Sequence, residues 1–314
     1  MLDFIRPITL IRYLIVWRVT SPVVLIPRCL PNEIMAVLGK LIEENLPTPQ
    51  NRAWRKALAS PTMRWPIEVV LFTPCLLNKR AYGKDEMVVW ELKLIGGAAD
   101  HGLFLEVILP AMEKAATTRE ISVRGARNLW GHFDIQAVYA ARGRNWEAFV
   151  EEGKLNMGYR VTPTQWAEGL VFDKTIANLC SLTWVTPFEF PVAGPGDSSA
   201  MDVAPTLRNI FDALMRRMTL FLPGRPDAQR VTDVWAQLSP EKLEKIELIL
   251  QQETNRSLIV RDKLQPPPKE WPGQKVGTQV FQSIDPALLP YLELASILHV
   301  GEHTRLGCGT FVLA

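Results

Sequence analysis

Residues 292–314 read LELASILHVGEHTRLGCGTFVLA. A short apolar run of helical character enters a loop punctuated by Gly301, Gly307 and Gly309, and an apolar strand over 310–313 closes the chain. Glycines at this spacing let a backbone turn tightly and present consecutive N–H groups, the arrangement by which proteins cradle phosphate oxygens. Thr304 and Arg305 add a hydroxyl and a cation to the same loop, and His303 adds an imidazole, a side chain that can shuttle a proton. A helix, a Gly-rich turn and a final strand are the last elements of a βαββαβ unit.

Working back from that end, the rest of such a unit is legible. Residues 182–190 have strand composition, and Pro205 opens a helix with Leu207, Ile210, Phe211, Leu214, Met218 and Phe221 on one face. Residues 257–261 and 276–282 are expected strands, and 286–299 the last helix. An insertion over 225–255 carries two short helical patterns, the second opened by Ser239-Pro240. These helices either project as a finger or pack as a pair on the sheet, and packing on the sheet is the expectation.

The first half repeats the order. Residues 11–20 read as a strand, followed by an apolar run over 23–26. Pro31 then starts a helix with Ile34, Val37, Leu38, Leu41 and Ile42 on one side, stopped by Pro47 and Pro49. Strands are expected over 67–73 and 87–95, a helix through Phe104, Val107, Ile108, Ala111 and Met112, and closing strands over 121–127 and 133–139. The fold class is thus α+β, with two tandem ferredoxin-like (RNA-recognition-motif-like) βαββαβ domains. Residues 1–155 form the first and 156–314 the second, which holds the helical insertion 225–255 and the Gly-rich loop 301–309.

Composition narrows the function classes. A 314-residue chain with 47% apolar and 22% charged residues buries one large core or two smaller ones. A net charge of +2 excludes a uniformly basic surface, so any nucleic-acid site is a local patch. Cys29, Cys75, Cys180 and Cys308 stand far apart, which argues against a zinc ribbon or a disulfide framework and for a reducing cytosol. No apolar run has the length of a membrane span, and a cytoplasmic protein is expected. Neither a P-loop Gly-Lys-Ser/Thr nor a dinucleotide-binding glycine fingerprint is present, which sets a small-molecule nucleotide enzyme well behind.

The helix ending His299-Val300-Gly301, the loop ending Gly307-Cys308-Gly309 and the final strand resemble the C-terminal motif of the CRISPR RNA-processing endoribonucleases of the RAMP superfamily. Thr183-Trp184-Val185-Thr186-Pro187-Phe188 resembles that family's entry into its second domain, and the segments from Pro74 to the strand at Trp90 and from Pro266 to Gln282 are similar to its other conserved-order parts. The resemblance implies a protein that binds CRISPR repeat RNA (pre-crRNA) and cuts it once per repeat with no metal or other cofactor. The ribose 2′-hydroxyl is then the nucleophile, and the products are a 2′,3′-cyclic phosphate and a 5′-hydroxyl. It implies a prokaryotic source and a place for the product-bound protein among the subunits of an effector complex. The alternative it leaves open is a non-catalytic RAMP subunit that holds guide RNA.

Relatives often carry a catalytic histidine near the first helix, whereas this chain has none between Met1 and Asp100. Arg28, Asn32, Lys40, Arg52, Arg55 and Lys56 stand there instead, and Arg28 is the expected charge stabiliser. His303 is the expected proton-transfer group, with an ordinary loop residue paired to Glu302 as the alternative. Gly301, Thr304, Arg305, Gly307 and Gly309 are expected to hold RNA phosphates, with Arg124 and Arg127, on or beside an edge element, expected to face the same cleft. His101 is expected to pack beside a helix start, His299 to be structural, and His132 to sit at a turn. Tyr82, Trp130 and Phe133 are either base-stacking platforms or core.

Overall fold

The computed structural model describes residues 5–6, 8–58, 67–71, 79–119, 129–170, 181–190, 204–221, 231–236, 238–255 and 259–314. The chain divides into two compact units, one formed by Thr9–Leu170 and the other by Met1–Ile8 with Val171–Ala314.

In the first unit, β1 (Leu10–Val19) alternates as its sequence demands. Tyr13, Ile15, Trp17 and Val19 are fully buried on one face, and Arg12, Leu14, Val16 and Arg18 lie on the other. The short β2 (Val23–Leu25) follows, then α1 (Leu30–Asn45), which has Pro31 in its first turn and buries the five apolar residues its spacing predicts. As the two prolines predict, α1 stops before Pro47, and a second helix follows at once. Pro49 lies in the first turn of a further helix, α2 (Thr48–Leu58), because a proline there forfeits no intrahelical hydrogen bond.

Strands β3 (Ile67–Leu71), β4 (Ala81–Gly83) and β5 (Met87–Ile95) come next. A helical turn, His101–Leu103, then passes through a π-helical segment, Phe104–Ile108, into α3 (Leu109–Thr117). Pro110 has no N–H to offer the Glu106 carbonyl, and the preceding Leu109 N–H reaches back to Phe104 instead. Strand β6 (Phe133–Arg142) closes the unit; the strand expected over 121–127 lies outside the described residues. The sheet order β3-β5-β1-β6 with α1 and α3 is that of a ferredoxin-like domain. Strands β7 (Asn145–Glu151) and β8 (Lys154–Leu155) extend its edge beyond β6, an addition the βαββαβ reading omits.

Helix-side packing is aromatic. Trp17 stacks on Phe133 at 4.2 Å and meets Trp90 edge-on at 5.0 Å, and Tyr13 stacks on Phe104 at 4.1 Å. Tyr82, Trp130 and Phe133 are each buried, which makes them core rather than stacking platforms for bases. The opposite face of the sheet holds Arg12, Glu68, Glu91 and Lys93, three of them buried. Burial alone would raise the Glu91 carboxyl, but Arg12 at 2.5 Å and Lys93 at 4.0 Å outweigh it and hold the group below its usual range. Removing one partner of such a pair strands a buried charge, at about 3–5 kcal/mol.

The second unit has the same order. Strand β9 (Ser181–Phe188) leads to α4 (Leu207–Met218), whose start is fixed by a capping box in which the Thr206 hydroxyl accepts from the Asn209 N–H at 3.2 Å and Asn209 Oδ1 accepts from the Thr206 N–H at 2.9 Å. The inserted helices α5 (Val231–Trp235) and α6 (Pro240–Asn255) do not project as a finger. They pack against α4, with Val234, Leu238, Ile246 and Leu250 buried and Arg208 of α4 donating to Glu247 at 2.6 Å. Strands β10 (Ile259–Gln265) and β11 (Lys275–Phe281), helix α7 (Leu289–Leu298) and strand β12 (Phe311–Leu313) complete the unit, in sheet order β10-β11-β9-β12. Both units are ferredoxin-like, as the repeated pattern predicts. Among the described residues, no helix is long and apolar enough to cross a membrane.

Candidate functional site

The Gly-rich loop begins where α7 ends. The Arg217 guanidinium, buried against Phe221, donates to the Leu298 carbonyl at 3.1 Å and so satisfies a C-terminal carbonyl of that helix. His299 then takes φ +62° and points inward, buried, in the structural role expected of it.

From Val300 onward the loop is stitched to the exit of β9. The Glu302 N–H donates to the Glu189 carbonyl at 2.9 Å, and the Gly309 N–H to the Pro187 carbonyl at 2.7 Å. Buried Thr186 works both ways, donating through its hydroxyl to the Gly307 carbonyl at 2.7 Å and accepting from the Thr310 N–H at 2.9 Å. The Thr186-Pro187 exit of the first strand is therefore what grips the loop near the end of the chain. Two of the glycines are required by approach distance. A Cβ on Gly301 would lie 2.4 Å from the Glu189 carbonyl oxygen and one on Gly309 only 1.8 Å from that of Val300, and both backbones have positive φ.

This stitching sorts the expected phosphate ligands. The Gly307 N–H donates to the Thr304 carbonyl at 2.8 Å, and Gly307, Cys308 and Gly309 are buried. What reaches solvent is the tip. Glu302, His303 and Arg305 are exposed, with Gly301 and Thr304 partly so. His303 itself adopts the left-handed conformation, φ +58° and ψ +24°, and starts a short turn over Thr304–Leu306. Its Nε2 lies 3.7 Å from Glu189 Oε2, while Glu189 Oε1 accepts from the Gln274 amide at 3.2 Å. The partner of His303 is thus Glu189, at the exit of β9, and not its neighbour Glu302. No local pattern in the sequence points to Glu189 or Gln274, because only the folding of β9, β11 and the loop into one sheet end brings them together.

The other expected residues fall elsewhere. Arg28 is half-buried in the turn before α1 of the first unit. Arg124 and Arg127 lie outside the described residues. His101 is committed to the framework. Its Nδ1 is 2.8 Å from the Tyr13 hydroxyl and it bonds to the Tyr159 backbone; burial, with Arg160 nearby, holds it below its ordinary range, while burial raises Tyr13. His132 Nδ1 is 2.6 Å from the Ser21 hydroxyl, joining the exit of β1 to the entry of β6. Among the described residues, no three of His, Cys, Asp and Glu converge as metal ligands would.

Residues 182–311 match the family described as the CRISPR-associated endoribonuclease Cas6, a span that runs from β9 through the whole Gly-rich loop. A comparison with curated proteins returns no match. Among solved structures, one described as a Cas6 product complex aligns over 98% of this chain and 100% of its own at 16% identity, with a TM-score of 0.50. A Cas6 substrate mimic complex aligns over 98% and 100% at 14% identity, with a TM-score of 0.45. A partial Cas6-RT-Cas1–Cas2 complex aligns over 98% of this chain but 46% of its own at 12% identity, with a TM-score of 0.48. The second unit, from β9 through the stitched loop, is thus similar to the CRISPR-associated endoribonuclease Cas6 family.

Proposed function

We propose that this protein is a metal-independent CRISPR repeat endoribonuclease that converts precursor RNA to guide RNA. The observation that carries the reading is the Cas6 family match across residues 182–311, whose loop leaves His303, Thr304 and Arg305 at its open tip. In the reaction proposed, the ribose 2′-oxygen attacks the adjacent phosphorus. A 2′-O–P bond forms, the P–O5′ bond breaks, and the 2′-hydroxyl proton passes to solvent. The imidazolium of His303 gives its proton to the departing 5′-oxygen and regains one from water, leaving a 2′,3′-cyclic phosphate and a 5′-hydroxyl. Arg305, Thr304 and the Gly301 backbone hold phosphate, and buried Gly307 and Gly309 shape the loop that presents them. Arg28 is assigned to charge stabilisation, and Arg124 and Arg127 to RNA binding.

The partner is CRISPR repeat RNA, and the product stays bound for use in an effector complex. A solved structure of similar fold is described as a Cas6 with its product, in keeping with retention. The second reading is a non-catalytic guide-RNA subunit, favoured by the absence of any histidine between Met1 and Asp100. Repeat RNA incubated with the protein in excess EDTA decides between them. One cut, abolished by a single 2′-deoxy substitution at the cut site, is the expected result. Tight binding with no cut establishes the second reading instead.

Arg305→Ala should weaken RNA binding across sequences and flatten the plot of log affinity against log salt by about one phosphate contact. The check is a binding titration at several ionic strengths. An unchanged slope would remove Arg305 from the phosphate site.

A further inference from the structure

We propose that Glu189 is the positioning residue for His303, acting on RNA cleavage only through that imidazole; this rests on the assignment of proton transfer to His303. The two side chains come from opposite ends of the second unit's sequence, yet their backbones are locked together. The Glu302 N–H bonds to the Glu189 carbonyl at 2.9 Å, and Gly301 presses so closely on that carbonyl that no side chain fits between them. The carboxylate is fixed as well. Oε1 takes the Gln274 amide at 3.2 Å, which leaves Oε2 to face His303 Nε2 at 3.7 Å. A carboxylate aimed at one ring nitrogen orients the imidazole, turns Nδ1 outward and stabilises the cation when the ring is protonated.

Two observations separate this from an incidental surface pair. The side chains are 42% and 31% exposed, so the pair contributes little to folding, and its geometry is not explained by stability. His303 is also held at φ +58°, a conformation uncommon outside glycine, which sets the direction in which its Cα–Cβ bond leaves the backbone. The other charged residues on the elements that meet here are Lys275 at the start of β11, paired in register with Phe188, and Glu302 and Arg305 on the loop itself. The Glu189 carboxylate lies 3.7 Å from the imidazole.

A positioning role and a clamping role predict different kinetics. Glu189→Gln keeps the size and the acceptor for Gln274 but loses the charge. Single-turnover cleavage of repeat RNA should slow on the order of 10²-fold, as misplacement of a reacting group does. RNA affinity should stay unchanged or tighten, since a negative charge beside the phosphate site is removed. In the double variant with His303→Ala, cleavage should be no slower than with His303→Ala alone. Parallel losses of rate and affinity in Glu189→Gln would make the residue a loop clamp and overturn the inference. So would a further slowing in the double variant, or a wild-type rate for Glu189→Gln beside a slow His303→Ala, and in that last case the proposed function stands. If His303→Ala itself cuts at the wild-type rate, the assignment of His303 fails first.

Discussion

His303→Ala should lower the single-turnover cleavage rate by about 10²–10⁴-fold, the usual contribution of one positioned general acid. Its effect on RNA affinity should be small, because Thr304, Arg305 and the loop backbone remain. The loop shape should also survive. The bonds that hold it run from backbone and threonine groups, Glu302 to Glu189, Gly309 to Pro187 and Thr186 to Gly307 and Thr310, and not from the imidazole. The diagnostic experiment replaces the bridging 5′-oxygen of the scissile phosphate with sulfur. A thiolate leaves without a proton at neutral pH, since a thiol is far more acidic than an alcohol. Wild type and His303→Ala should therefore cut the thio substrate at similar rates. Equal slowing on both substrates would mean that His303 does not protonate the leaving oxygen.

Gly309→Ala should be the most damaging small substitution in the second unit. The added Cβ would stand 1.8 Å from the Val300 carbonyl oxygen, and neither a Cβ nor a backbone oxygen can rotate away by a rotamer change. Relief requires breaking the Val300-to-Gly309 and Gly309-to-Pro187 hydrogen bonds, which join the loop to itself and to β9. A cost above about 4 kcal/mol is expected, in the range reserved for single changes with a named steric cause. Gly153→Ala supplies the control. Gly153 has nearly the same backbone, φ +73° against +76°, but open space where its Cβ would go. It should cost only the left-handed penalty of about 1–2 kcal/mol. Thermal melts of the two variants separate strain from clash. Similar midpoints would refute the close-approach account of Gly309.

The two βαββαβ patterns were legible because each element announces itself locally. The alternation in β1 separates Tyr13, Ile15 and Trp17 from Arg12, Leu14 and Val16, and the spacing in α1 and α4 gives their buried faces directly. The errors are also local in origin. Pro47 and Pro49 do end α1, but Pro49 also lies in the first turn of α2. The reading leaves that helix out, because a proline there starts a helix as readily as its neighbour ends one. Strand β7, sequence NWEAFVE between the turns at Gly143 and Gly153, has a usable alternation, but the template of four strands left no place for it.

At the site, the residue types and the loop that carries them were plain from local sequence. Gly301, Gly307 and Gly309 marked a turn of special backbone, and His303, Thr304 and Arg305 marked its chemistry. Which of these reach solvent depends on how the unit folds. Gly307 and Gly309 are consumed in closing the loop on β9, while residues 302–305 form its open edge. Folding also sets the histidine against Glu189 rather than Glu302. The reason is physical: periodicity and turn chemistry act over a few residues along the chain. A contact between the first strand of a ferredoxin-like unit and its last loop exists only once the sheet has brought strands β9 and β12 side by side.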